Sequence, residues 1–546
     1  MTEARARTIE LVAFTAILVA AAVLRFVDLP TRGTWDADQG HDMLVLRDLV
    51  QRGVIPLLGP PTSIGDFHHG MLYYLLLAPA AAVSGVDPTA VTAWIALGGV
   101  VAVGVTGWLA RSIGGPVAGI VAATLMAVSA SAVEESTFIW NPNLIALTSS
   151  IALAAAWQAW RARRPRWWIV AGAAAVVTMH CHVLGVTLTP VVAALLVADV
   201  RRRRAEGDRA GARAVLVGAG WWIALLLVSY VPLAIHEWTS DASELRAAIA
   251  FLTGGAGPAS VALPARVPIV GLRVLGWPLA GLITAAPVES VLVSTLVVVV
   301  AVWRGWLVPP SDERSGIRWL GAGLLWTVVA LAVGASSLAT VVLGLPNDHY
   351  HAFADPIVFV LVGVGIAALI QGANRSSTSP DDRPSSLPAP VRMAGVGLGA
   401  VVLLGLVGWN VGRQPPAVAA DGGWPAAQVA AARVLVATHG RPLTLDSLPA
   451  VKPADALRFP VERLVPTAIA PAPTSLGTGG HIDETARVVL CDQLFHETIG
   501  SDCGGPAEDA FASSIFGEPV LPTFVVLRFE AAPGRWISVY RPTTGR

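Results

Sequence analysis

The chain has 546 residues, of which 54% are hydrophobic and only 14% charged. A soluble protein of this length carries about a quarter charged residues, so a soluble globular fold is excluded. Thirty-seven basic residues balance 37 acidic ones, which leaves no basic excess to suggest a nucleic-acid partner.

Apolar runs near the length of a membrane-crossing helix fall at 9–27, 90–109, 116–133, 143–160, 167–179, 183–199, 215–235, 288–303, 319–342, 354–371 and 393–411. Arg5 and Arg7 precede the first run, but no small-residue cleavage site follows it, so that helix is expected to stay. Arg-rich stretches at 161–166, 201–213, 304–318 and 375–392 mark the cytoplasmic side. Residues 28–70, 84–89 and 134–142 then share the outer side. The short apolar stretch 71–84 therefore does not cross, and reads as a helix lying in the interface. The expectation is a polytopic α-helical protein of the plasma membrane with about eleven crossings and a cytoplasmic N-terminus.

Residues 236–287 should add interfacial helices, and the Ser-, Pro- and Asp-rich segment 376–390 should be a disordered cytoplasmic loop. Residues 412–546 should form a small extracytoplasmic α/β domain. Its helix at 425–438 stops at Gly440, and strands follow at 487–491, 523–529 and 535–541. Cys491 and Cys503 lie in that outer domain, where a disulfide is expected. Cys181, in an apolar stretch, reads as a packed residue.

Chemistry concentrates just after the first span. Asp36, Asp38, His41 and Asp42 cluster within seven residues, and an amphipathic helix is expected from about residue 38. Asp38 then sits near a helix N-terminus, where a carboxylate is favoured. The bland reading is a helix cap and a solvated acidic loop. Against it stands the next landmark, where Asp66, His68 and His69 precede Tyr73 and Tyr74 on the same face of the membrane.

This order of features resembles the C-type membrane glycosyltransferases, and within them the protein O-mannosyltransferase and aminoarabinose transferase branch. The resemblance rests on the acidic loop after the first helix, Gly53 about fifteen residues on, and a His-containing patch before an apolar YY run. It continues through EESTFIWNPN at 134–143, MHCHVLG at 179–185 and NDHYHAFADP at 347–356, and covers residues 9–411. Relatives carry Asp-Glu where this chain has Asp38-Gln39, so Asp36 is the carboxylate placed to substitute for the missing Glu.

The resemblance implies a sugar donor linked to polyprenyl phosphate, embedded in the lipid bilayer, and a glycan, glycolipid or protein acceptor. Asp38 is the expected general base, with inversion at the anomeric carbon and Asp36 or Asp42 orienting the acceptor. Arg32, His68, His69, His349 and Arg273 are the candidate phosphate-facing groups, and Asn141, Tyr350 and His351 are further candidates for the substrate site. Acids and histidines near a phosphate form a candidate divalent-cation site, although no ligand spacing here is diagnostic. His180 and His182, two residues apart on a turn, read first as hydrogen-bonded structure and second as metal ligands. A transporter or flippase of lipid-linked glycans is the competing class. It calls for polar or broken helices at mid-membrane, whereas the polar groups here gather at one surface.

Overall fold

The structure, a computed structural model, describes residues 3–62, 67–251, 253, 261–335, 338, 348–371, 389–470, 485–516 and 519–541. Helix α1 (Glu3–Phe26) is followed by the short α2 (Leu29–Arg32), with Asp28 between them in the left-handed region. Helix α3 (Ala37–Arg52) begins at Asp36, whose side chain caps it, while Gln39 accepts the Asp36 N–H at 2.8 Å. This reciprocal box fixes where the helix starts. Gly53, at φ 69°, ends it. Helix α4 (Leu72–Ser84) has 13 residues. That is about 20 Å, too short for the roughly 30 Å of hydrocarbon.

The bundle continues through α5 (Pro88–Gly114), α6 (Pro116–Val128), α7 (Ala130–Glu134), α8 (Ile145–Arg161), α9 (Trp167–Cys181) and α10 (Leu188–Ala205). Next come α11 (Arg209–Ser229), α12 (Val231–Thr239), α13 (Ser243–Ala250), α14 (Leu263–Ala280), α15 (Pro287–Trp306), α16 (Asp312–Gly334), α17 (Asp355–Gln371) and α18 (Ala389–Val411). Among the described residues, eight helical segments are long and apolar enough to span a membrane. The expected runs 116–133, 143–160 and 167–179 differ, because α6, α8 and α9 have 13, 17 and 15 residues. The first of these is broken at Ser129 into α6 and α7. Arg25, fully buried on α1, answers the break by donating to the carbonyls of Met126 at 3.1 Å and Ala127 at 3.0 Å. Those are carbonyls that the last turn of a helix cannot satisfy itself. Helix α17 is buried on nearly every side and forms the axis, whereas α1 and α18 leave most of their apolar surface uncovered.

The C-terminal unit comprises α19 (Gly423–Ala437), β1 (Leu443–Leu448), α20 (Asp455–Leu464), β2 (Ala486–Asp492), α21 (His496–Ile499), α22 (Pro506–Phe516), β3 (Val525–Ala532) and β4 (Arg535–Tyr540). Its sheet runs β1-β2-β4-β3, with β1 parallel to β2 and the other pairs antiparallel. A disulfide joins Cys491 on β2 to Cys503, ahead of α22. Strand β1 and helices α20 to α22 had no counterpart in the sequence reading. Asp66, Asn347, residues 339–342 of the expected span and residues 376–388 of the expected loop lie outside the described residues, while 389 and 390 begin α18.

Candidate active site

Helix α20 lies directly on α3, and this contact builds the site. At Gly40 of α3 a Cβ would fall 2.1 Å from the Asp455 carbonyl oxygen, so only glycine admits the approach. Trp35, just before α3, packs against Trp424 at 4.5 Å and Phe459 at 5.9 Å, and its indole donates to the Ala456 carbonyl at 2.8 Å. Charged contacts frame this apolar plug. Asp36 meets Lys452 and Arg535, each at 2.9 Å, Arg47 meets Glu462 at 2.6 Å, and His41 Nδ1 meets Asp455 at 3.0 Å.

Beneath the contact is a cavity of about 500 Å³. Asp38, His41 and Asp42 line it from α3, and Asp455 and Arg458 from α20. Thr62, Phe67 and His69 line it from two stretches joined by an antiparallel bridge between Pro61 and His68. Trp140, Asn141, His182 and Tyr350 add polar and aromatic lining, and Val183, Leu184, Phe251, Ala335 and Leu338 add apolar lining. Asn141 is held by donating to the Cys181 carbonyl at 2.5 Å. His182 stacks on Tyr350 at 4.6 Å and lies 4.7 Å from His69.

The electrostatics differ sharply between neighbours. Asp38 is exposed, but to the cavity, with protein closing around it. Burial raises its carboxyl above the usual range, and the Asp36 charge adds to this, whereas Lys452, His41 and a hydrogen bond from the Trp140 indole pull it down. Asp42 is enclosed and accepts the hydroxyls of Tyr73 at 2.7 Å and Tyr74 at 3.0 Å. Burial outweighs those bonds and pushes its carboxyl up to about 7. Asp36 goes the other way: Arg535 and Lys452 overcome its burial and hold it below the usual range. The hydrogen bond to Asp455 raises His41. His69, desolvated, falls to about 3 and is neutral. Its Nδ1 accepts the Val183 N–H, and His182 Nδ1 accepts the Leu184 N–H, both at 3.2 Å. Each neutral ring then carries its proton on Nε2.

Of the residues singled out in the sequence, the cavity brings together Asp38, Asp42, His69, Asn141 and Tyr350. It does not include Asp36, which caps α3 and is bound by two cations of the C-terminal unit. Arg32 turns away to the Leu24 carbonyl at 2.6 Å, at the end of α1, while Arg273, buried, donates to the carbonyl of Leu338, a lining residue, without lining the cavity itself. His68 is held through its backbone N–H and ring by Glu244 of α13, at 2.6 and 2.9 Å. His349 packs on Trp140 at 4.0 Å, and His351 is buried. Gln39 explains its own departure from Asp-Glu: its amide donates to the Ile139 carbonyl at 2.8 Å, which a carboxylate cannot do. The cavity also holds His41 and His182, which the sequence picked out in polar clusters without giving them a substrate role. Asp455 and Arg458 were missed, and nothing local marks them. Among the described residues no group of three or more His, Cys, Asp or Glu is placed to hold a metal ion.

The model of the dolichyl-phosphate-mannose-protein mannosyltransferase family matches residues 68–231. No curated protein sequence matches the chain. In three dimensions the chain is similar to ArnT from Cupriavidus metallidurans bound to undecaprenyl phosphate, with a TM-score of 0.58 and 14% identity, over 97% of each chain. The apo state of that protein gives 0.55 and 14%, over 98% of each. At such identity the likeness speaks for the fold. The chain thus shares the fold of ArnT, a C-type membrane glycosyltransferase fold, and its residues 68–231 are similar to the protein mannosyltransferases.

Proposed function

We propose that this chain is a glycosyltransferase of the plasma membrane that moves a sugar from a polyprenyl-phosphate donor to a hydroxyl of a cell-envelope acceptor at the outer face. In this reading residues 1–411 form the transferase unit, and residues 412–546 form an extracytoplasmic domain that roofs its site. The observation that carries the reading is the cavity itself, where the exposed carboxylate of Asp38 shares one space with polar and with apolar side chains. The apolar side chains suit the first isoprene units, and the polar ones suit the sugar phosphate. The ArnT structure with undecaprenyl phosphate supports a donor of this class.

In the step proposed, the acceptor oxygen attacks the anomeric carbon and gives its proton to Asp38. The bond from that carbon to the phosphate oxygen breaks, and its electron pair leaves with the polyprenyl phosphate. Attack opposite the leaving group inverts the configuration. Arg458, His69 and His182 line the cavity where charge develops on the leaving phosphate, and each of the two imidazoles has an Nε2–H to donate. The test is transfer from a radiolabelled polyprenyl-phosphate sugar by the full chain and by Asp38→Asn. A loss of at least about 100-fold is expected from a missing general base. Undiminished transfer by the variant overturns the assignment.

A further inference from the structure

The C-terminal unit does more than cover the cavity. His41 stands one helical turn after Asp38 on α3, and both line the cavity, so the ring and the carboxylate share one face. The ring is fixed from the other side of the domain contact. Its Nδ1 is 3.0 Å from Asp455, whose side chain is only 11% exposed, while His41 remains 37% exposed. Asp455 is therefore committed, and Nε2 is the ring nitrogen left for the cavity.

Resting on the transfer reaction above, we propose that Asp455 is a positioning residue for it, holding His41 as an imidazolium beside Asp38. The surrounding charges define what this does. Asp38 and Asp42 lie on the same helix as His41, Asp455 and Arg458 come from α20, and Tyr73 and Tyr74 of α4 face Asp42. Lys452 reaches Asp36 at the start of α3 and also acts on Asp38. Within this ring the charges of Lys452 and His41 pull the Asp38 carboxyl down against the burial that raises it. Removing the Asp455 charge lets His41 lose its proton at lower pH. An active site needing ionised Asp38 and charged His41 works inside a pH window, and Asp455 extends that window at its alkaline end.

Two measurements test this on the full chain. The first needs no sugar donor: diethyl pyrocarbonate, which modifies neutral imidazole, is applied across a pH series and His41 is followed by mass spectrometry. In the wild type, half-maximal reactivity is expected above that of a free histidine. In Asp455→Asn it is expected about one pH unit lower. A wild-type midpoint at or below that of free histidine overturns the proposal even if the variant does not fold. So does an unchanged midpoint in a folded variant. The second is the pH profile of transfer, which should narrow on its alkaline side in Asp455→Asn and lose its alkaline limb in His41→Gln. An equally wide profile at a lower plateau marks a merely structural role and overturns the proposal. A chain that transfers no sugar overturns the transferase reading and the catalytic half of this one, while the labelling still decides the pairing.

Discussion

Asp36 and Lys452 are separated by 416 positions in the sequence and by 2.9 Å in the structure. Lys452 also donates to Asp492 at 2.6 Å, next to the disulfide-bonded Cys491, so one ammonium ties the start of α3 to the sheet of the C-terminal unit. Both partners are shifted to favour the pair: Asp36 is lowered by Arg535 and Lys452, and Lys452 is raised by Asp36 and Asp492 despite burial.

The sign of each shift sets the pH range of the clamp. The lowered Asp36 contributes stability above an unfolded aspartate's value, near 4, which is lost as pH falls through its folded value. The raised Lys452 contributes below an unfolded lysine's value, about 10.4, and is lost as pH rises through its folded value. Docking is therefore complete between about pH 4 and 10. Lys452→Met should weaken docking by about 1–3 kcal/mol, because it leaves two carboxylates short of a partner. Limited proteolysis reads this as faster cutting of residues 413–422. An unchanged rate shows that Arg535 and the Trp35 plug suffice.

Gly40→Ala tests the approach of α20 without touching a charge. In an isolated helix alanine is favoured over glycine by about 1 kcal/mol. Here the added carbon meets the Asp455 carbonyl at 2.1 Å and backbone cannot step aside, so α20 must lift from α3. Transfer and protease resistance should fall together, with the His41–Asp455 contact broken. Gly53→Ala is the control. It strains a residue at φ 69° by about 1 kcal/mol but meets nothing within 4 Å, and it should keep transfer.

Asp42 should be visible spectroscopically. Its carboxyl, at about 7, exceeds that of an unfolded aspartate. The group is therefore protonated in the folded chain and ionised in the unfolded one between about pH 4 and 7, and folding weakens as pH rises through that window, then levels off. Difference infrared spectroscopy should show a protonated carboxyl band that fades as pH passes about 7 and is missing in Asp42→Asn. A band unaffected by that substitution belongs to another acid and refutes the assignment.

The sequence carried the parts of this architecture that are local. Apolar runs became helices because each is long enough to satisfy its own backbone, and the α3 pattern placed Asp38 and Asp42 on one helix. Gly440, at φ 72°, stands just past α19, where a glycine ends a helix. What escaped was long-range. Arg25 looks like an ordinary basic flank until the break at Ser129 supplies carbonyls for it. Asp455 lies 414 residues from His41, and no local pattern separates it from any other first-turn acid of a helix. Arg32 and Arg273 were chosen for charge and side of the membrane, but guanidinium groups in a low-dielectric bundle also serve to satisfy carbonyls, and these two do.

Trp140 offers the narrowest test of Asp38. Its indole is the hydrogen-bond donor among the groups that lower the Asp38 carboxyl, and its ring packs on His349 at 4.0 Å. Trp140→Phe keeps most of the ring and removes the donor. Asp38 then loses a bond that favours its ionised form, so its carboxyl moves further up. A general base works only when ionised, so the acid limb of the transfer profile should move to higher pH, by no more than about one unit. Above that limb the rate should approach the wild type, because the carboxylate remains in place. Trp140→Ala should differ by also losing rate on the plateau, since the ring packing that His349 and Tyr350 share with Trp140 is then opened. An acid limb unmoved in Trp140→Phe would mean that the limb reports a group other than Asp38.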